Sequence, residues 1–371
     1  MRLCYVLLSS TFGMHQYTAD PANRMALAGH EVHLVTTTHV PHDRYHPAVA
    51  IHTPVNATNT GLSAESLHVS DLWSAQRAVC SLQPDVVHFA GPHLWNIPLL
   101  RALHWAGIPT VHTVHDFDPH SGTLYGRLLY VWNWMVFRLA DHILVHGARY
   151  RQRLLSMGLP PERVTATPIL HLFVGYGSMD ALRGLANEVV HQPWALFFGR
   201  LARYKGIDRL LAACARDDGA KGDGPRLVVA GPGSLEALWM EPLPPRVQVR
   251  NHLIGDEEAL DLFRRCGLLV LPYVDATQSA LVAAAYFFRK PVVATRTGAL
   301  PEYVQEGHTG WLVEPGDVAG LRACLAEALS DPARLARMGA AGRAQYDAWR
   351  RLERETLLSM YERVVKTAKG E

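Results

Sequence analysis

Short apolar runs recur along this chain, separated by longer stretches in which apolar positions return every three or four residues. In the first half the runs are Leu3 to Leu8, Glu31 to Thr36, Asp85 to Phe89, Pro109 to Val114 and His142 to Val145. A second series follows at Ala195 to Phe198, Arg226 to Ala230, Val247 to Val249, Leu268 to Pro272 and Pro291 to Thr295. Runs this short and this apolar predict strands buried on both faces, and the spaced stretches predict helices packed over them. Tyr17 to Ala28 predicts a helix stopped by Gly29, and Leu94 to Ala106 predicts another. Arg322 to Lys369 reads as helical with a charged, solvated face, one helix opening at Asp331-Pro332 and Gly339 to Gly342 interrupting it. Regular alternation of strand and helix predicts an α/β fold with parallel sheets.

The alternation weakens between about Thr167 and Pro193, a Gly-rich stretch ending in Pro that predicts a linker. With 371 residues the chain exceeds the usual single core, so two doubly wound halves facing each other are expected, divided near residue 175. In such sheets ligands sit at the carboxyl ends of the strands, so loops of both halves would meet in a cleft.

Composition narrows the classes. Hydrophobic residues at 49% and charged residues at 19% fit buried cores and exclude a disordered chain. A net charge of +2 predicts no nucleic-acid partner. The five cysteines are odd in number and widely spaced, which fits reduced cytoplasmic thiols and neither a disulfide framework nor a zinc site. MRLCYVLLSS reads as a first buried strand, with no secretion signal. Leu128 to Phe137 (LLYVWNWMVF) is too short to cross a bilayer. It suits a core helix or, with Trp132, Trp134, Tyr125, Tyr130, Arg127 and Arg138, one lying at the inner membrane face.

The candidate chemistry lies where strands end. GRLARYKG, Gly199 to Gly206, follows the strand ALFF and precedes the helical IDRLLAACA. It sets Arg200 and Lys205 near a helix amino terminus, where unpaired N–H groups and two cations suit a diphosphate. The alternative is a surface turn with two solvated bases. After Leu268 to Pro272, Thr277 and Ser279 are placed to cap a helix, and the small Ala280 would let phosphate oxygens reach its amides. Gly13 in SSTFGMHQY joins the first strand to its helix. It lacks the further glycines of a dinucleotide fingerprint, so no nicotinamide cofactor is expected, and it reads as a plain turn or a place where a ligand nears the main chain. His115 in HTVHDFD closes another strand, where an imidazole can serve a leaving phosphate or shape a sugar site. Asp116 and Asp118 alone do not make a metal site, and no metal or other cofactor is expected.

Taken together, the Gly13 loop with ADPANRMALAGHEVHLVT, DVVHF, TVHDFD, DHILVHGARYRQRLL, GRLARYKG, VVAGPGS, RVQVRNHLIGDEEALDLF and PVVATRTGALPEYVQEGHTGWLVEPGD resemble the family-4 glycosyltransferases nearly end to end. The resemblance implies a GT-B fold of two Rossmann-like domains, 1–175 and 176–345, with a helix from about Tyr346 crossing back to the first. It implies retaining transfer of a sugar from a nucleotide diphosphate donor, held by the second domain, to a saccharide or lipid-linked saccharide at the first. By position, Arg200 and Lys205 match the family's diphosphate pair and His115 its histidine near the reacting sugar. His252 and Leu253 fall where the base is held, and Asp275, Thr277, Gln278, Ser279 and Ala280 fall on the donor loop. One departure stands out: Ala276 and Ala284 occupy the places of two glutamates, the second of which holds the donor ribose in many relatives. Asp275 sits one residue early, and its partner at that spacing is Ala283. An epimerase or phosphorylase of the same plan, and a catalytically silent binding subunit, are the competing readings.

Overall fold

The computed structural model describes residues 1–56, 65, 68–117, 124–178, 182, 184, 190–215 and 226–370, without the side chains of 124–128 and 178. Asp118, the side chain of Tyr125 and much of the expected linker lie outside these residues. The chain divides into two compact units, Met1–Gly177 with Leu352–Glu371, and Ser178–Arg351.

The first unit is built on seven parallel strands: β1 (Arg2–Leu7), β2 (Glu31–Thr37), β3 (Val49–Val55), β4 (Val86–Phe89), β5 (Thr110–Val114), β6 (His142–Val145) and β7 (Val164–Ala166). Their order is β3-β2-β1-β4-β5-β6-β7, with Leu3 opposite Val32 on one side and Val86 on the other. Five helices cover the sheet: α1 (Phe12–Leu27), α2 (Val69–Ser81), α3 (Asn96–Trp105), α4 (Leu124–Leu139) and α5 (Ala148–Ser156). Helix α1 begins five residues before the expected Tyr17, so Gly13 stands in its first turn and not at a tight turn. The end of the chain closes this core, where Leu357, Met360 and Tyr361 pack with Tyr5, Leu34 and Val111.

The second unit has six parallel strands: β8 (Ala195–Phe198), β9 (Leu227–Ala230), β10 (Val247–Arg250), β11 (Leu268–Leu271), β12 (Val292–Thr295) and β13 (Gly310–Val313). They are ordered β10-β9-β8-β11-β12-β13. LVVA, LLVL and VVAT are wholly buried, as strands covered on both faces require. Among the described residues its helices are α6 (Ile207–Cys214), α7 (Asp256–Arg265), α8 (Leu281–Phe287), α9 (Leu300–Tyr303), α10 (Val318–Ser330) and the first part of α11 (Pro332–Lys369), which from Leu352 on belongs to the first unit. α11 corrects the expected break at Gly339 to Gly342, since it runs through both glycines without interruption. A side chain at Gly339 would strike the Arg289 carbonyl, and one at Gly342 would lie 2.5 Å from the Tyr286 ring. These glycines therefore bring the helix close to the sheet layer. They do not end it.

Candidate functional site

In each sheet the strand order reverses at one place, β1 beside β4 in the first unit and β8 beside β11 in the second. Loops leaving the carboxyl ends on either side of such a reversal diverge and leave a crevice. GRLARYKG leaves β8 and the segment Pro272 to Ala280 leaves β11, so the two predicted anion-binding segments border the crevice of the second unit.

Close backbone packing holds this crevice. Gly206 is left-handed at φ 66°, and a Cβ there would collide with the Pro272 carbonyl. The amides of Val274 and Asp275 donate to the Tyr204 carbonyl at 2.8 and 3.3 Å. Gly298, at φ 53°, fits against the Ala276 carbonyl, and the Ala299 amide donates to the Thr277 carbonyl at 2.9 Å. The loops after β8, β11 and β12 are thus tied into one rigid rim.

Lys205 sits in a short turn, Arg203–Lys205, directly before α6. The residue is half-buried, but its ammonium is turned inward: a methyl added at Gly199 would lie 2.9 Å from Nζ, and Nζ stands 5.4 Å from the centre of the Tyr273 ring. Burial first, and the nearby Arg200 as well, lower its pKa below the usual lysine value, against the opposing influence of Tyr204. Arg200 is exposed. Neither cation has a hydrogen bond or ion pair among the described residues. An inward-turned ammonium without a carboxylate partner among the described residues, next to an exposed guanidinium, is a setting chemically suited to an anion.

The segment after β11 carries one charged side chain, Asp275, among neutral ones. Ser279 Oγ accepts from the Leu281 amide at 3.4 Å and lies 3.4 Å from the Tyr273 hydroxyl, but the N-cap position of α8 is Ala280, so the expected side-chain cap is not at the helix start. Thr277 makes its contact to the next loop through its carbonyl. Gln278 is half-buried and its Oε1 has no partner among the described residues. Ala280 precedes the first turn of α8, Asp275 is half-buried, and Ala276 and Ala284 are buried. At the end of β10, His252 Nε2 lies 2.8 Å from Glu258 Oε2, and Leu253 is 79% exposed. That ring and the Arg250 guanidinium hold the Glu258 carboxyl below its ordinary range.

In the first unit His115 is buried at the end of β5, and its Nε2 donates to the Ala90 carbonyl at 2.8 Å. Donation from Nε2 leaves Nδ1 as the acceptor of a neutral ring, and burial lowers its pKa. Two further side chains that the sequence did not single out pack on it, Tyr17 and His146, with His171 beyond Tyr17. Tyr17 meets the ring edge-on at 4.4 Å, His146 lies 5.3 Å from it, and His171 is 5.9 Å from Tyr17. The only signal in the sequence was that His146 directly follows the β6 run. Gly13 is exposed, with open space around it. Asp116 is exposed as well. Trp132 is buried with Nε1 donating to the His93 carbonyl at 3.3 Å, so of the two tryptophans in α4 only Trp134 faces outward.

Known proteins resemble this chain in sequence and in fold. Residues 13–168 match the model "Glycosyltransferase Family 4" and residues 192–331 match "Glycosyl transferases group 1". A GDP-mannose-dependent alpha-mannosyltransferase of Mycobacterium tuberculosis is 27% identical over 65% of this chain and 63% of its own length. A D-inositol 3-phosphate glycosyltransferase of Streptomyces scabiei is 26% identical over 91% of this chain and 83% of its own. Among solved structures, sucrose-phosphate synthase of Thermosynechococcus elongatus aligns over 100% of this chain and 98% of its own, with TM-score 0.74 and 19% identity. HepE of Anabaena, in complex with UDP and glucose, aligns over 100% of both chains with TM-score 0.67 and 15% identity. With its two parallel α/β units of the GT-B fold, the chain belongs to the family-4 glycosyltransferases.

Proposed function

We propose that the protein transfers a sugar, with retention of anomeric configuration, from a nucleotide diphosphate donor to a saccharide or lipid-linked saccharide acceptor. The observation that carries this reading is the inward-turned Lys205 beside Arg200 at the strand-order reversal of the second unit. Both cations would stabilise the charge that grows on the diphosphate as the glycosidic C–O bond breaks. The acceptor hydroxyl would attack from the face the diphosphate leaves and pass its proton to the departing phosphate oxygen, so neither an enzymic nucleophile nor a metal is required. The neutral Nδ1 of His115 is suited to accept from a sugar hydroxyl at the first unit. The base would lie by His252 and Leu253, and the sugar end by Gln278, Thr277 and Ser279. With alanines at 276 and 284 the ribose would be held without a glutamate there. A cytoplasmic reaction on cell-envelope or exopolysaccharide precursors, at the inner membrane face, fits this set of substrates.

The test is a panel of UDP- and GDP-sugars, with released nucleoside diphosphate measured and the new glycoside's anomeric configuration read by NMR. Release coupled to an α-glycoside from an α-donor is expected. A rearranged sugar without a new glycoside would instead identify an epimerase. The buried alanines at 276 and 284 favour one other reading, a silent binding subunit. Binding of UDP or GDP with no turnover on any donor would establish it.

A further inference from the structure

Three neighbouring helices of the first unit repeat one pattern: a tryptophan and an arginine four residues apart. The pairs are Trp73 and Arg77 on α2, Arg101 and Trp105 on α3, and Trp134 and Arg138 on α4. Helix α3 packs against α2 on one side and α4 on the other. All six side chains are exposed, Trp105 at 75%, Trp73 at 63% and Trp134 at 49%. Arg138 stacks 4.0 Å from the Trp134 ring centre and Arg101 5.4 Å from that of Trp105. One turn before Trp73 stands exposed Val69, and one turn before Trp134 stand exposed Tyr130 and Val131. In sequence the three helices carry Arg77, Arg101, Arg127 and Arg138 against a single acid, Asp71.

Isolated exposed apolar residues need no explanation, but three indoles on adjacent helices, each with its own guanidinium, do. Helix axes pack 8–10 Å apart, so the tryptophans are spread across about 20 Å and are not gathered as one anchor for a protein pocket. A second copy of this chain docked on the same face would set arginines against arginines. A lipid surface fits both properties: indole rings settle at headgroup depth, and arginines beside them reach the phosphates. We propose that the outer face of α2, α3 and α4 binds the surface of an anionic bilayer, the rings of Trp73, Trp105 and Trp134 entering the interface and their paired arginines meeting lipid phosphates. Among the described residues no helix is long and apolar enough to cross a membrane, so the contact is peripheral. The surface involves none of the residues assigned to sugar transfer, so it stands or falls separately from that reading.

The experiment is co-sedimentation of the full chain with phosphatidylcholine vesicles and with vesicles containing about 30% phosphatidylglycerol, in about 0.1 M salt. Partitioning at least about tenfold stronger into the anionic vesicles is expected, falling as salt is raised. The variant Trp73→Ser, Trp105→Ser, Trp134→Ser should lose this binding while its melting temperature and its binding of UDP or GDP stay as in the wild type. A second variant, Arg77→Gln, Arg101→Gln, Arg138→Gln, should lose the preference for anionic lipid, and it decides the matter if the tryptophan variant melts early. Equal partitioning of the wild type into both vesicles, or full binding by either variant with an unchanged melting temperature, overturns the proposal.

Discussion

Lys205 and Arg200 share a charge and a loop but differ in setting. The lysine ammonium is packed under Gly199 and against Tyr273, while the guanidinium stands in solvent. A preorganised cation of this kind is worth about 100-fold in turnover. Lys205→Ala is expected to lose at least that much, and Arg200→Ala less, because water already screens it. Steady-state kinetics on the best donor of the panel decides, and near-normal turnover in Lys205→Ala would remove the lysine from the mechanism. Gly206→Ala tests the support beneath. Its left-handed backbone and the Pro272 carbonyl leave no room for a Cβ, so destabilisation of at least about 2 kcal/mol in urea unfolding is expected. The cations and their glycines were legible in the sequence because they are contiguous and follow an apolar run. Tyr273 and the neighbours Tyr17, His146 and His171 on the His115 side were not, since each is brought in by the lateral order of strands, which local pattern does not record.

Among elements, the same distinction separates what the sequence announces from what it hides. The strands it did not announce, β3, β7 and β13, all lie at sheet edges. An edge strand needs burial on fewer sides, so VAIHTPV can carry a histidine and a proline, VTA can be three residues long, and GWLV can open on glycine. Among the central strands ALFF, LVVA and LLVL are apolar throughout, and those of the first unit keep apolar runs around buried polar residues such as His88 and His112, so these strands were legible. Helix α11 shows the opposite error, in which a local rule says too much. Glycine in a helix interior costs about 1 kcal/mol relative to alanine, so two in one helix suggest a break. Here the packing against Arg289 and Tyr286 outweighs propensity. Gly342→Ala should therefore destabilise by about 1–3 kcal/mol where the propensity scale alone forecasts a gain. Urea unfolding gives the sign directly, and a stabilised variant would show that the ring yields at little cost.

Over the whole molecule, the two units differ in what acid should do to them. Of the 20 histidines only His191, His252 and His308 belong to Ser178–Arg351. In the first unit burial pushes His88, His112 and His142 down to about 3, and His15 and His93 down to about 4. Unfolded histidines take up a proton near pH 6.5, so below that value the unfolded first unit binds protons that the folded one refuses. Stability from these groups is complete above about pH 6.5 and is lost as pH falls toward 3 to 4, at about 1.4 kcal/mol per pH unit for each histidine. In the second unit burial lowers the pKa of the partly buried His191. Scanning calorimetry from pH 7 to pH 4.5 should accordingly show the transition of the first unit moving to lower temperature faster than that of the second, so that a single endotherm broadens or splits. The split should be tied to the interior network in which His88 bridges the Tyr361 hydroxyl at 2.6 Å and Thr113 Oγ1 at 2.7 Å. His88→Gln, which keeps hydrogen-bonding groups but cannot titrate, should lower the melting temperature at pH 7 and weaken its dependence on pH between 6.5 and 4.5. Parallel pH profiles for wild type and variant would mean that the acid sensitivity lies elsewhere.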